Sequence, residues 1–421
     1  MNKNHDFANA SFKNYENPPG MNLYEKARLF GDYIDNWQGR GHWNYRQVCL
    51  NGALPEIELH LPGNPHKSFV ATVFNDYLGL SQHPAVKAAA IAGIEKYGVG
   101  ATASPAIGGQ MDFHEEIEAR IAGFFKRKSA MLFTTGYTAN SATMQALFKK
   151  EDLALVDAGV HASMIEGIRY TTNVKTFLHN NMEHLERMLL GSQGKYRSIV
   201  VIVDGVYSQP ADLAPLKDIV SLCKKYGAFL AMDDAHGIGV IGETGRGVIE
   251  LHEAWKDVDI ITGTFSKTFG HLGGYVVAEP EIIEYLKFQA AQHIFSVAPS
   301  PASLCVLKSI DLIDEEPWRK VKLWENIDHL KKGLADLKLN TENSASAIVP
   351  VIIGSPGLNA EVCKWLLEAG VYANQIGYPA VSLKQARIRM SITAAHSIEH
   401  MDLILDAWEW VTTKLKIRNF E

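Results

Sequence analysis

From residue 84 onward, short apolar runs alternate along the chain with segments of helical periodicity. Strands are predicted from the clearest apolar runs, at residues 129–133, 154–156, 199–203, 229–232 and 260–263. Helices are predicted between them, for example at residues 114–125, 182–190 and 215–226. Apolar strands that alternate with helices indicate a mostly parallel sheet covered on both faces. Such sheets bind ligands beyond the carboxyl ends of their strands.

The two ends of the chain follow a different pattern. Residues 1–20 are polar and are predicted to form a mobile arm, and the helical spacing of apolar residues predicts a helix over residues 21–37. Short extended stretches follow at IELHL and FVATVF. After residue 301, we expect a long helical stretch to about residue 337, then a strand, helix, strand and helix at residues 347–353, 359–369, 388–392 and 398–415.

These patterns predict an α/β chain with three parts. An N-terminal arm and helix occupies residues 1–65, a large sheet domain residues 66–300, and a smaller α+β domain residues 301–421. The 421 residues are 47% hydrophobic and 21% charged, which is typical of a globular enzyme with a sizeable core.

Charge and cysteine usage exclude several classes of function. The net charge of -6 gives no basic surface for nucleic acid. The four cysteines, Cys49, Cys223, Cys305 and Cys363, form no CxxC pair, so neither a disulfide framework nor a metal site is predicted. The chain begins without a secretory signal pattern and contains no apolar run long enough to cross a bilayer, so we expect a cytoplasmic enzyme.

One candidate functional motif is FLAMDDAHGIGV, in which an apolar strand ends at Asp233 and His236 follows three residues later. A carboxylate at a strand end can keep a heteroaromatic ring nitrogen protonated. This interaction is what pyridoxal phosphate (PLP) needs, because its pyridinium ring is the electron sink of the reaction.

A second motif, DIITGTFSKTFGHLGG, places Thr264, Ser266 and Lys267 directly after the next predicted strand. A lysine beside two hydroxyl groups suits a Schiff-base nucleophile next to a phosphate. A third motif, MLFTTGYTANSATMQAL, runs from a strand through Gly136 and Tyr137 into a helix, whose N-terminal N–H groups favour a phosphate. Each motif alone is weak, and the ordered set is specific.

The chain resembles the α-oxoamine synthases over roughly residues 66 to 415. The motifs that carry the resemblance are, in order, FNDYLGL, YGVGATASPAIGG, FTTGYTAN, VHASMIEG, DGVYS, DDAHGIGVIG, GTFSKTFG, FSVAPSP and RIRMSITAAH. The resemblance implies a fold-type-I PLP transferase, with a mostly parallel seven-stranded sheet in the large domain and a smaller C-terminal α+β domain. It also implies a PLP-dependent reaction that joins an amino acid to an acyl thioester with loss of carbon dioxide.

The resemblance also implies roles for individual residues. Lys267 would carry the cofactor as a Schiff base, Asp233 would pair with the pyridine nitrogen and His161 would stack on the ring. His236 and Ser208 would lie near the phenolic oxygen of the cofactor.

Two further groups of residues are implied for the phosphate and the substrate. The cofactor phosphate would be held by Gly136, Tyr137, Thr264, Ser266 and, from the other subunit of a homodimer, Ser296. The carboxylate of the amino acid would be held by Asn75 and Arg389, with Thr393 close by. An arginine suits this task because its planar guanidinium binds two carboxylate oxygens at once.

Each of these residues also has a structural alternative. Asp233 could cap a helix, Lys267 could be a surface lysine, and His161 could be a hydrogen-bonded core histidine. Asn75 could be a turn residue. Arg389 could pair with a structural acid.

Two departures from the family pattern concern the substrates more than the chemistry. Where the family has GSR, this chain has Ala103, Ser104 and Pro105, so an arginine is lost. The sequence DGVYSQPAD replaces the commoner DGVFSMDGD beside Ser208.

The N-terminal extension with its amphipathic helix favours the lipid-forming branch of the family. We therefore expect a sphingoid-type product from serine or cysteate, with the fatty acyl group carried by CoA or acyl carrier protein. The alternatives are alanine with a pimeloyl thioester, as in 8-amino-7-oxononanoate synthase, and glycine with acetyl-CoA. Peripheral contact with a membrane stays open, and a non-catalytic partner subunit is disfavoured because Lys267, Asp233 and His236 are present.

Overall fold

A computed structural model describes Phe7 and residues 10–61 and 68–417. It contains two compact units, one of Asn75–Leu323 and one that combines Met1–Phe74 with Trp324–Glu421. The predicted arm lies partly outside the described residues, as does the predicted boundary at residue 65. The functional division into arm, cofactor domain and small domain stays a prediction.

The strands, in chain order, are β1 (Glu56–Ile57), β2 (Phe69–Ala71), β3 (Ser129–Phe133), β4 (Leu153–Asp157), β5 (Asn173–Phe177), β6 (Ile199–Asp204), β7 (Phe229–Asp233), β8 (Ile260–Thr264), β9 (Gly274–Ala278), β10 (Ile348–Ile352), β11 (Val371–Tyr372), β12 (Asn374–Ile376) and β13 (Arg387–Ser391). The five strands predicted first are thereby confirmed, each with bounds equal to or slightly wider than expected. The sequence patterns missed β5 and β9 of the large sheet.

The α-helices, in chain order, are α1 (Leu23–Gly39), α2 (Pro84–Tyr97), α3 (Asp112–Phe124), α4 (Gly136–Leu147), α5 (Ala162–Ile168), α6 (Met182–Ser192), α7 (Leu216–Tyr226), α8 (Val248–Leu251), α9 (Pro280–Gln289), α10 (Ala291–Phe295), α11 (Cys305–Glu315), α12 (Trp318–Asp336), α13 (Pro356–Glu368) and α14 (Ile398–Leu415). The long helical stretch expected after residue 301 divides into α11 and α12 at Pro317. Proline lacks an N–H group and disfavours helical backbone in the preceding residue, so the chain breaks there.

The larger unit is built on a seven-stranded sheet with strand order β3-β9-β8-β7-β6-β4-β5. Only β9 runs against its neighbours, and the pairs from β8 to β5 are all parallel. Each residue of β4, β6 and β8 is buried, which explains why their sequences are continuous apolar runs rather than alternating ones. The predicted mostly parallel seven-stranded sheet is confirmed.

The core of this unit places α4 against one face of the sheet. The helix buries small residues, among them Ala139, Ala142 and Ala146, in one cluster with Val156 and Ile202 of the strands. Small side chains let a helix approach a sheet closely. The start of α4 is therefore held next to the strand ends, where its N-terminal N–H groups face the carboxyl edge of the sheet.

The smaller unit contains two three-stranded sheets, with orders β10-β13-β12 and β1-β2-β11. Helix α14 packs there through Trp408, which is fully buried and donates a hydrogen bond from Nε1 to Sδ of Met390. Helix α1 buries Tyr33 and Trp37 in an aromatic cluster that Trp43 joins.

Two features of the described residues concern the environment of the chain. Cys49, Cys223, Cys305 and Cys363 are free thiols, and all except Cys49 are buried. Within residues 10–61 and 68–417, no helix combines the length and apolar character that crossing a membrane requires.

Candidate active site

A cavity of about 240 Å³ lies at the carboxyl edge of the large sheet. Parallel strands bring their carboxyl ends to the same edge, so residues far apart in sequence meet there. The sequence-predicted residues that line the cavity are Gly136, Tyr137, His161, Asp233, His236, Thr264, Ser266 and Lys267. The structure therefore brings together eight of the predicted site residues in a single unit.

One end of the cavity is suited to a phosphate group. Helix α4 begins at Gly136, and Thr135 caps it by accepting a hydrogen bond from the N–H of Thr138. The hydroxyls of Thr264 and Ser266 lie 2.7 Å apart, and Thr264 also donates to the carbonyl of Gly273. Backbone N–H groups at a helix start and the hydroxyl of Ser266 are donors of the kind that a phosphate needs, while Thr264 positions Ser266 and uses its own hydrogen on Gly273.

The glycine at the start of α4 is required by close packing. A Cβ atom at Gly136 would lie 2.6 Å from Cβ of Thr264, well inside van der Waals contact. Any larger residue would therefore push the helix start away from the strand end that carries Thr264.

The cavity is also lined by the carboxylate of Asp233, the last residue of β7. Its Oδ1 accepts a hydrogen bond from the N–H of Ala235 at 2.9 Å, and its Oδ2 accepts one from Nδ2 of Asn140 at 2.6 Å. Two donors on one carboxylate fix its orientation. Because Asp233 is 7% exposed, it presents a buried, oriented carboxylate to the cavity.

His236 is oriented by a residue that the sequence patterns did not single out. The hydroxyl of Tyr77, which is fully buried, lies 2.6 Å from Nδ1 of His236 and donates to Oδ1 of Asn75 at 3.2 Å. Tyr77 belongs to the NDYLGL motif, in which the sequence signal pointed to Asn75. The Tyr77 hydroxyl therefore connects His236, which is expected near the phenolic oxygen of the cofactor, with Asn75, which is expected at the carboxylate of the substrate.

His161 is the N-cap of α5 and its ring lies edge-to-face against Tyr137, with 6.2 Å between ring centroids. Its backbone N–H donates to both oxygens of Asp204, at 3.3 and 3.1 Å. Its Nδ1 lies 2.7 Å from Oγ of Ser163 and accepts a longer hydrogen bond from the N–H of Ser163. The ring is thereby held at the cavity from both the backbone and the side chain.

The electrostatics of the cavity follow from loss of solvent and from neighbouring charges. Loss of water around the ring lowers the pKa of His161, and the charge of Lys267 lowers it further, against the opposing effect of Asp233. Complete burial raises the pKa of Asp204 well above its usual value, and Asp233, its partner on the neighbouring strand, adds to that rise. The cavity therefore favours an uncharged His161.

A second polar cluster lies beyond the ends of β4 and β5. His179 contacts Asp157 through Nδ1 at 2.7 Å and Asp212 through Nε2 at 3.0 Å. Burial alone would lower the pKa of His179, but the hydrogen bonds to the two carboxylates outweigh it and raise the pKa to about 10. A charged imidazolium here joins the end of β4 to the loop after β6.

The remaining predicted residues are placed elsewhere. Ser208 and Ser296 are described residues outside the cavity lining, and their contacts with a cofactor stay predictions. Arg389 and Thr393 belong to the smaller unit, where Arg389 donates to Oγ of Ser391 at 3.0 Å. Their substrate-binding roles, like that of Asn75, stay predictions.

The lining residues fit PLP. Lys267 can bind its aldehyde carbon, Asp233 can keep its ring nitrogen protonated, and the start of α4 with Thr264 and Ser266 can take its phosphate. Because Gly136 has no side chain, the start of α4 lies close to Thr264 and its backbone stays accessible to an anion, as in other anion-binding turns. When bound, PLP supplies an electron sink that stabilises negative charge on the α-carbon of an amino acid.

Sequence comparisons identify the family. A profile of the aminotransferase class I and II family matches residues 74–407. The 8-amino-7-oxononanoate synthase of Thermoanaerobacter pseudethanolicus is 41% identical over 82% of this chain and 87% of its own length. That of Alkaliphilus metalliredigens is 38% identical over 94% of this chain and 100% of its own, and the serine palmitoyltransferase of Bacteriovorax stolpii is 35% identical over 79% and 80%.

Structure comparison gives the same result. Serine palmitoyltransferase from S. paucimobilis, solved with a bound PLP–myriocin aldimine, superposes with a TM-score of 0.89 and 28% identity, over 94% of this chain and 100% of that one. The fold and the cavity thus define a fold-type-I PLP-dependent transferase. The chain belongs to the α-oxoamine synthase family, whose members join an amino acid to an acyl thioester.

Proposed function

We propose that the chain is an 8-amino-7-oxononanoate synthase, which joins alanine to a pimeloyl thioester and releases carbon dioxide and the free thiol. The observation that carries this choice is the match to a relative of that name over 94% of this chain and the whole of the relative. That match includes most of the N-terminal region, so the N-terminal extension is not evidence for the sphingoid-forming branch of the family. The expected preference for serine or cysteate is therefore replaced by the alternative.

The residues of the cavity would divide the work as follows. Asp233 holds a proton on the ring nitrogen of the cofactor, and Lys267 removes the α-proton of alanine. His161 donates a hydrogen bond to an oxygen of the thioester or of the carboxylate that is later lost. Holding that carboxylate across the ring plane orients the bond to be broken.

An amino-acid panel tests the choice of substrate. Purified holoenzyme is mixed with L-alanine, glycine, L-serine and L-cysteate in turn, and the visible absorbance of the bound cofactor is followed. We expect saturable spectral change with alanine at the lowest concentration. Product mass after addition of pimeloyl-CoA or pimeloyl acyl carrier protein then identifies the acyl donor, with Lys267→Ala as the inactive control.

A second candidate is a serine palmitoyltransferase. It is favoured by the structural match to the S. paucimobilis enzyme, which extends over the full length of that chain. The same panel separates the two functions, because saturation by serine and turnover with palmitoyl-CoA, without turnover of alanine and a pimeloyl thioester, would replace the first proposal by the second.

We further propose that the functional unit is a homodimer in which Ser296 serves the neighbouring cavity. The segment around Ser296 is joined to the loop before α3 by a hydrogen bond from the N–H of Ala298 to the carbonyl of Ala103. These two segments expose apolar side chains together, with Phe295 at 85% and Ile107 at 81% exposure. A contiguous exposed apolar patch is typical of a subunit interface.

Light scattering after size-exclusion chromatography tests the dimer. Phe295→Glu is expected to shift the chain towards monomer and to lower turnover, because a buried charge in an interface is costly. Leu190→Glu is the matched control, since Leu190 is an exposed leucine on α6 that lies outside this patch. A wild-type enzyme that is monomeric and active would contradict the dimer.

A further inference from the structure

A chain of hydrogen bonds connects the carboxylate of Asp233 to the ring of His161 through two side chains that have no role in the scheme above. Asn140, on α4, donates from Nδ2 to Oδ2 of Asp233 at 2.6 Å and to Oγ of Ser163, on α5, at 2.9 Å. Oγ of Ser163 lies 2.7 Å from Nδ1 of His161. Asn140 and Ser163 are 3% and 0% exposed, so these bonds are shielded from water.

The orientation of the Asn140 amide is fixed by its neighbours. Turning the amide over would place its oxygen against Oδ2 of Asp233, and two acceptors would then face each other. In the orientation found, the amide oxygen of Asn140 is buried without a hydrogen-bond partner among the described residues. An unpaired neutral oxygen costs less than an oxygen held against a carboxylate, so the nitrogen faces Asp233.

The protons in this chain can then be assigned by counting. Both hydrogens of the Asn140 amide are used, one by Asp233 and one by Ser163. Oγ of Ser163 is therefore an acceptor towards Asn140, and its single hydrogen remains for Nδ1 of His161. Nδ1 is the acceptor when that hydrogen points to it, and because Oγ has a second lone pair the backbone contact of Ser163 decides the assignment.

A second, independent contact gives the same assignment. The backbone N–H of Ser163 also points at Nδ1 of His161, at 3.4 Å, and a backbone N–H can act only as a donor. A hydrogen on Nδ1 would face this donor. The neutral ring therefore carries its hydrogen on Nε2.

We propose that Asn140 and Ser163 are positioning residues that lock His161 in the Nε2–H tautomer, so that the ring offers a hydrogen-bond donor, and not an acceptor, to the substrate. This inference rests on the proposed function, in which His161 donates a hydrogen bond to the substrate. The tautomer of His161 does not depend on which amino acid or acyl group is used, so it can be tested even if the proposed substrates are wrong. The same amide that orients Asp233 towards the cofactor also sets the proton on His161.

Nitrogen NMR of histidine-labelled holoenzyme tests the lock without relying on turnover. The wild-type protein is compared with His161→Asn to assign the His161 signals. We expect a pyridine-type 15N shift at Nδ1 and a pyrrole-type shift at Nε2. A pyrrole-type shift at Nδ1 would overturn the assignment, whatever substrate the enzyme uses.

Variants of Ser163 test the cause. Ser163→Ala removes the hydroxyl donor but keeps the backbone N–H, so the shifts of the two ring nitrogens are expected to move towards each other. It is also expected to lower kcat about fivefold with little change in KM, since one hydrogen bond of this kind is worth about 1 kcal/mol. Ser163→Thr keeps the hydroxyl and is expected to restore both the shifts and most of the activity. If Ser163→Ala keeps the wild-type nitrogen shifts of His161, Ser163 does not set the tautomer. The same conclusion follows if a folded Ser163→Thr protein lacks the wild-type shifts.

Thr143→Val is the matched control for these variants. Thr143 lies on α4 with Asn140, is fully buried, and has a hydroxyl without a hydrogen-bond partner among the described residues. Its replacement removes a buried hydroxyl at nearly constant volume, so the His161 shifts and kcat are expected to stay at the wild-type values. Altered His161 shifts in this control would mean that hydroxyl loss disturbs the site in general, and would contradict a specific role for Ser163.

Discussion

Two histidines follow neighbouring strands of the large sheet, and their surroundings drive them to opposite charge states. His161 follows β4 and faces a serine hydroxyl and the positive Lys267, and its pKa is lowered. His179 follows β5 and lies between two aspartates, and its pKa is raised to about 10. The partners, and not the topology, decide whether the ring is a neutral hydrogen-bond donor at the cavity or a cation that joins the end of β4 to the loop after β6.

The largest expected effect separates the two histidines by activity. His161→Asn removes the ring that contacts the cavity and is expected to lower kcat by about 100-fold or more, as for other positioned acid–base groups. Its thermal unfolding midpoint should change little. His60→Asn, at an exposed position of the smaller unit, is the control and should keep full activity. Turnover of His161→Asn within a few-fold of wild type would remove His161 from the reaction.

The next effect concerns stability. His179→Gln leaves Asp157 and Asp212 facing each other without the cation, and we expect the free energy of unfolding to fall by about 1–3 kcal/mol, as for hydrogen bonds to charged groups. Chemical denaturation measures this loss. His329→Gln is the matched control, because His329 pairs with Asp402 at 2.7 Å on the exposed surface, where such pairs contribute about 1 kcal/mol or less. Equal losses in the two variants would contradict the special role of the cluster.

The contribution of His179 should also depend on pH. Its folded-state pKa of about 10 lies above the usual 6.5, so the stabilisation is complete below about pH 6.5 and is lost as the pH rises through 10. The difference in unfolding free energy between wild type and His179→Gln should therefore shrink between pH 7 and 10. A difference that stays constant over this range would show that His179 is not charged.

The smallest effect concerns the orientation of His236. Tyr77→Phe removes the hydroxyl that lies 2.6 Å from Nδ1 of His236 and should lower kcat/KM about 3- to 10-fold, the effect of one neutral hydrogen bond. The absorbance maximum of the bound cofactor should shift as well, because His236 is expected at its phenolic oxygen. Tyr285→Phe, at an exposed tyrosine of α9, is the control. An unchanged spectrum and rate in Tyr77→Phe would place His236 away from the cofactor.

The sequence predicted the part of the fold that forms the cavity, because buried parallel strands are continuous apolar runs. Strand β5 was missed because it lies at the edge of the sheet, and four of its five residues are exposed. Strand β9, in contrast, is fully buried and carries the apolar run YVVA, so its signal was present in the sequence. It was missed because it directly follows the glycine-rich segment after Lys267, which was interpreted as a turn.

The candidate site was predicted unevenly for a related reason. Lys267, Asp233 and His161 stand at strand or helix ends, where polar residues are conspicuous in the sequence. Asn140 and Ser163 lie inside the quoted motifs FTTGYTAN and VHASMIEG, but their pairing depends on how α4 packs against α5. The one available signal was Asn140 itself, a polar residue on the face of α4 that otherwise buries mostly small and apolar side chains.

The most direct test of the account is to find which lysine carries the cofactor. Purified protein is reduced with borohydride, which fixes PLP covalently to the lysine that holds it, and is then digested and examined by mass spectrometry. The account predicts the pyridoxyl mass on the peptide that contains Lys267. The same mass on another lysine, with Lys267 unmodified, would contradict it.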